Sequence, residues 1–230
     1  MSKHLFSGFF DGNNSTSLRA AVLGANDGIL SVSCLLVGMI SAHASHDVIL
    51  LSGITAMIAG ALSMAAGEIV SVYAQKDSDM AAIERERINI LSNEDEEEKE
   101  LASIYIERGL EKSLAEEVAE QFMDNDALEA HARDELGINS KSEARPFVAG
   151  ISSALSFIAG SFVPLFAAAF VSESFVSVAI FSVIMLAILG YFSSRLGESE
   201  IVTSIIRIVI TGIIILMISL VLGNISGDLL

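Results

Sequence analysis

The chain has 230 residues, of which 52% are hydrophobic, and a formal net charge of −16. A soluble domain of this size is usually less apolar and has no apolar run near twenty residues. The single cysteine, Cys34, lies in an apolar run, which excludes an internal disulfide framework or a cysteine-built metal site.

Charge and apolarity are segregated. Residues 75–146 hold 21 of the 29 acidic residues and 9 of the 13 basic ones. A bilayer core of roughly 30 Å needs about 20 apolar residues in a helix. Five segments qualify, at about 19–40, 48–74, 147–169, 174–194 and 201–222. The first lacks a strongly basic leader and a clear small-residue cleavage site, so it reads as a retained membrane helix. The predicted fold is all-α. It comprises an N-terminal segment (1–18), two spans (19–74), an acidic helical domain (75–146) and three further spans (147–230). The loops 41–47, 171–173 and 196–200 are short.

Basic residues set the expected topology. Lys3, Arg19, the nine within 75–146 and Arg195 all fall on one side of a five-span chain. The loops 41–47 and 171–173 and the C-terminus carry none, and only Arg207 lies within a span. The N-terminus and acidic domain are expected in the cytosol, with the C-terminus opposite and the cell inner membrane as the location.

The acidic domain reads as helical. A first helix, about 77–91, continues the second span. Leu101, Ile104 and Tyr105 form one stripe, followed by Gly109 as a C-cap. Ser113 to Glu116 is a capping box, and Leu114, Val118 and Phe122 make a second stripe. Asp126 caps a last helix ending at Gly137. Pro146 suits the first turn of the third span, and Pro164 is expected to kink it.

Two acids lie within spans. Asp27 is eight residues beyond Arg19 and Glu68 eight before Lys76, so counting from those charges puts both about 12 Å from the cytosolic end. An intramembrane carboxylate costs about 2.5–3.5 kcal/mol on insertion scales and usually faces a bundle interior or a water-filled path. Met64 lies one turn from Glu68, and its soft thioether favours a transition metal over calcium or magnesium. Gly24, Gly28, Gly53, Gly60 and Gly67 permit close helix contact. In the domain, the run from Glu94 to Glu98 with Glu100 is on composition a solvated face. Yet Glu97 shares a side with Leu101 and Ile104, with Glu100 at its edge. His131 and Glu135 are spaced i, i+4 and share a helix face.

These segments resemble the vacuolar iron transporter family, which includes the yeast calcium-cross-complementing and plant nodulin-21-like proteins. The chain looks like a prokaryotic member. The resemblance rests on Leu18-Arg-Ala-Ala-Val-Leu-Gly-Ala-Asn-Asp27-Gly, Ala59-Gly-Ala-Leu-Ser-Met64-Ala-Ala-Gly-Glu68, Ala130-His-Ala-Arg-Asp-Glu-Leu-Gly137 and Gly160-Ser-Phe-Val-Pro164. It implies a five-span homodimer with a cytosolic metal-binding domain, exchanging Fe2+ or Mn2+ for protons. It implies that Asp27 and Met64 belong to the membrane path, with Glu68 one turn from Met64. It also implies that Glu97, Glu100 and Glu135 bind metal, with Glu84 and Glu86 in the Glu-rich first helix. His131 stands where the plant protein has methionine. The expected function is export of ferrous iron or manganese from the cytosol. Expected partners are divalent metals, protons and the lipid bilayer, with no tightly bound cofactor, no nucleic acid and no enzymatic activity. The alternatives are a membrane-anchored ferritin-like iron oxidase, a metal buffer or sensor with anchoring spans, and a transporter of another cation such as calcium. The oxidase would want two Glu-x-x-His motifs, whereas Leu128 stands three residues before His131.

Overall fold

The computed structural model describes residues 14–138, 145–171, 174–197 and 199–229. The segment before residue 14, with Lys3, and the connection at 172–173 lie outside them. Among the described residues, seven α-helices follow in order: α1 Asn14–Ser41, α2 His46–Ser92, α3 Glu94–Glu107, α4 Lys112–Asp134, α5 Pro146–Phe166, α6 Phe175–Leu196 and α7 Ile201–Leu229. No strand occurs among the described residues. The five apolar stretches lie in α1, α2, α5, α6 and α7, each long enough to cross a membrane. The first helix of the acidic domain is the uninterrupted continuation of α2, as its unbroken helical pattern predicts.

Two compact units result, one of residues 1–70 with 145–230 and one of residues 71–144. The first is the membrane bundle. Its core is built from Val32, Leu36 and Val37 of α1, Ile49 and Ala61 of α2, Phe157 and Leu165 of α5, Val178 of α6 and Leu216 of α7. The α1–α5 seam sets its geometry. A methyl group on Gly24 would collide with the Ser153 carbonyl, one on Gly28 with the Phe157 carbonyl, and one on Gly160 with the Ala25 carbonyl. The Ser161 hydroxyl donates to the Gly28 carbonyl at 3.2 Å and the Phe157 carbonyl at 2.7 Å. Backbones this close gain dispersion contact without a hydrophobic drive, which lipid does not supply between helices. Pro164 sits inside α5, and a single π turn, Ala167–Val171, follows it.

Helix α2 packs more loosely. Side chains at Gly53 and Gly60 would meet Leu165, Leu36 and the Phe157 ring, whereas nothing lies within 4 Å of Gly67. The expected seven-residue contact stripe therefore stops at Gly60. This contrast yields a prediction. Gly28→Ala forces backbone against backbone and is expected to destabilise the bundle by about 3 kcal/mol, the upper end of overpacking costs. Gly67→Ala is expected to be neutral or stabilising, because open space admits the methyl and alanine is the better helix former. Thermal unfolding of the two variants in detergent, read by loss of the monodisperse species, checks the order.

The second unit packs α3 against α4. Leu101, Ala102 and Tyr105 meet Ala115, Ala119 and Ala130, with Val118 and Phe122 at the edge. Four acids in the first turn of α3 complement the positive end of its dipole. Gly109 ends α3 with φ +100° and Gly137 follows α4 with φ +67°, both conformations that glycine adopts without strain. Asp126 is non-helical and kinks α4, and its carboxylate accepts from the Glu129 amide at 3.1 Å, the cap predicted for it. Two expectations fail. α4 starts at Lys112 after Glu111, so Ser113 is already helical and caps nothing. Leu114 is 49% exposed, because small Ala115 and Ala119 face α3 instead.

Candidate metal sites

Within the domain unit, three helices bring four ligand-bearing side chains together. Glu86 comes from α2, Glu97 from the first turn of α3, and His131 and Glu135 from the end of α4. One ligand atom from each lies within 4.8 Å of the others. His131 is fully buried, Glu86 is 5% exposed and Glu97 9%. His131 Nδ1 lies 2.9 Å from Glu135 Oε2 and 3.1 Å from Glu86 Oε1. Only the Glu135 contact has hydrogen-bond geometry. Glu86 Oε1 and His131 Nε2 are buried with no hydrogen-bond partner among the described residues. Orphaned buried polar atoms are costly, and a cation held by His131 Nδ1 and the carboxylates would satisfy Glu86 Oε1. Three carboxylates and one imidazole suit a divalent first-row ion.

Burial pushes the Glu86 carboxyl above the usual glutamate range; the charges of Glu135 and Glu97 add to this and His131 opposes it. Glu100, one turn beyond Glu97, is raised too, first by desolvation and then by Glu135 and Glu97. It stands exposed at the rim, outside the group of four. Glu84 is not brought to the cluster. Two residues from Glu86, it points elsewhere, about half exposed and paired with Arg87 at 2.7 Å.

A clamp beside the cluster has no sequence signature. Asp134 accepts from Tyr105 at 2.9 Å and from Arg108 at 2.6 Å, and Arg108 also donates to the Asp134 carbonyl at 2.8 Å. Arg133 donates to the same carboxylate, and with Arg108 and Tyr105 holds it well below the usual aspartate range. The clamp pins the end of α4 next to Glu135. No periodicity in the chain pairs the end of α3 with the end of α4.

In the bundle, Asp27 on α1 is half-buried and accepts from the Ser31 hydroxyl at 2.6 Å. Met64 packs against the membrane core. Glu68, one turn along α2, has one carboxylate oxygen buried and unpartnered among the described residues. Their depths differ. Ala65 and Ile69 of α2 flank Gly150, whereas Asp27 adjoins Gly28, which lies against Phe157. Glu68 lies between Ala65 and Ile69, level with Gly150, and Asp27 is one residue short of the Phe157 level, so about six residues, on the order of 9 Å, separate the acids along the axis. Counting from flanking charges predicts one shared depth. It fails because α2 stays helical past its apolar stretch and small-residue contacts set its level against α5.

The VIT family model matches residues 18–224 of this chain. The chain belongs to the VIT family. All nine candidate site residues fall inside the matched range. Among relatives, a vacuolar iron transporter of Acanthamoeba castellanii (strain ATCC 30010 / Neff) is 40% identical over 215 residues, covering 92% of this chain and 79% of that protein. Vacuolar iron transporter homolog 1 of Oryza sativa subsp. japonica is 36% identical over 198 residues, 85% of this chain and 67% of its own. Vacuolar iron transporter homolog 2 of Arabidopsis thaliana is 33% identical over 215 residues, 91% and 84% respectively. The VIT relatives carry the names of transporters, not of enzymes, in line with the expectation from the sequence.

Proposed function

We propose that this protein transports ferrous iron or manganese out of the cytosol in exchange for protons, as a homodimer in the cell inner membrane. The observation that carries the reading is Glu68, whose buried carboxylate oxygen has no partner among the described residues, one turn from Met64 in an apolar span. A buried acid without a partner is expensive in a membrane and marks an ion path. The names of the relatives support iron as cargo.

The charge asymmetry supports a cytosolic domain. The Glu86, Glu97, His131 and Glu135 cluster would then capture divalent ions on the cytosolic side, with Glu100 at its rim. In the bundle, Glu68, Met64 and Asp27 form successive stations, Glu68 nearest the cytosolic end and Asp27 deepest. Each carboxylate holds a proton or shares a divalent ion, so metal loading from one side releases protons and protons from the other side release metal. Ser31 keeps the Asp27 carboxylate oriented. Much of α2's apolar surface is uncovered, including Leu51, Ile58 and Leu62, which suits a second copy of the chain. The ferritin-like alternative gains no support, since the cluster contains one histidine where paired iron-oxidase sites use two.

Metal flux in proteoliposomes containing a pH dye tests the proposal. Fe2+ and Mn2+ should enter faster than Ca2+, with protons moving the opposite way, and faster when the far side is acidified. Flux indifferent to an imposed pH gradient would replace the exchanger with a uniporter.

A further inference from the structure

Arg207 is the one basic residue interior to the five apolar stretches, and it lies on α7. The inner face of α7 is given by Ile205, which meets Gly190, by Gly212, which meets Leu186, and by buried Leu216 and Gly223. At 100° per residue, Arg207 lies about 200° from Ile205, on the opposite side. It shares that side with Ile210, Ile214, Val221 and Ile225, each about half exposed. Arg207 is itself exposed and forms no ion pair among the described residues. Along the helix toward its start, the next acid is Glu200, which accepts from the Thr203 hydroxyl at 2.8 Å.

A guanidinium cannot lose its charge and cannot rest in hydrocarbon, so its stem must carry it to the interface. Arg207 is six residues from the start of α7, about 9 Å of rise, and helical side chains lean toward the helix N-terminus. The polar partner within that reach is the phosphate layer of the adjacent leaflet. A guanidinium meets phosphate with two parallel hydrogen bonds.

We propose that Arg207 binds the phosphodiester of a phospholipid headgroup, with the lipid's acyl chains lying along the isoleucine-rich stripe of α7. The site is independent of the metal path and fixes how deep α7 sits in the leaflet at its N-terminal end.

Native mass spectrometry of the full chain in detergent tests this, with phosphatidylglycerol, a chain-matched diacylglycerol and inorganic phosphate as probes. The wild type should retain phosphatidylglycerol well above diacylglycerol, and inorganic phosphate should neither bind nor displace it. Arg207→Gln should lose that headgroup-dependent excess, and Arg207→Lys should keep part of it. Removing a lipid-facing charge lowers an insertion cost, so Arg207→Gln should still insert. Equal retention by wild type and Arg207→Gln overturns the proposal. Displacement by inorganic phosphate makes it a simple anion site. Loss of oligomer in Arg207→Gln with lipid retention unchanged makes the partner a protein chain.

Discussion

Asp27→Asn is expected to abolish metal flux while leaving the protein inserted and folded. The substitution keeps shape, and an asparagine oxygen can still accept from Ser31, so α1 loses no packing. What it loses is charge. A carboxylate 4 Å from a divalent ion attracts it by about 8 kcal/mol at an effective dielectric of 20. If desolvation cancels three quarters of that, the remaining 2 kcal/mol or so is still about a 30-fold loss of occupancy. Glu68→Gln is expected to act differently, raising the metal concentration needed for half-maximal flux more than it lowers the maximal rate, because the proposed path makes Glu68 the loading station. The offset of about 9 Å along the axis also bears on how the pair combines. Sites beyond roughly 7–10 Å apart without shared partners combine additively, so partly active substitutions at Asp27 and Glu68 should multiply their effects on flux. Proteoliposome flux for Asp27→Glu, Glu68→Asp and the double variant reads this directly. A double variant no worse than either single one would mean that the two carboxylates share one ion. Full activity of both Asp27→Asn and Glu68→Gln would remove them from the path.

Much of this arrangement is legible in the sequence because it rests on local rules. Apolar length gives the five spans, and the unbroken helical pattern after Ala74 gives the continuation of α2. Gly109 and Asp126 announce turn and cap through backbone preferences that do not depend on the rest of the fold. What the sequence hides is set by contacts between helices. Glu84 and Glu86 are equally plausible in a Glu-rich helix, and only the arrival of α3 and α4 on one side of α2 separates them. Ser113 begins a good capping box, yet α4 starts a residue earlier, since packing of Ala115 and Ala119 against α3 fixes where the helix lies. The depth of Glu68 relative to Asp27 depends on which residues of α5 lie between them, a register that neither span encodes alone. The Asp134 clamp joins residues 26 and 29 apart in the chain, beyond any periodicity.

Metal affinity of the Glu86, Glu97, His131 and Glu135 cluster should fall as pH is lowered toward the glutamate range. Without metal, desolvation first and the neighbouring acids second raise Glu86 above the ordinary value of 4.5, and Glu100 likewise. A raised carboxyl binds protons in the folded chain at pH values where the unfolded chain has lost them. In that window the folded state holds more protons, so apo stability declines as pH rises from 4.5 through the raised value. Metal ligation needs the ionised carboxylates and expels those protons, so affinity climbs over the same window and levels off above it. Bound metal should also cancel the repulsion, stabilising the fold by about 2.7 kcal/mol at a hundred times Kd. Mn2+ titration of the purified chain between pH 5 and 8 reads the trend. Glu97→Gln removes one ligand and one of the charges that raise Glu86. It should weaken binding by about 10–100-fold, a span typical of disturbing a metal site, and move the pH dependence to lower values. Glu84→Gln is the matched control, a charge change two residues from Glu86 on an exposed side chain engaged with Arg87, and it should leave affinity unchanged. If Glu84→Gln weakened binding as much as Glu97→Gln, the ligand set would have to be redrawn around the other glutamate of the same helix.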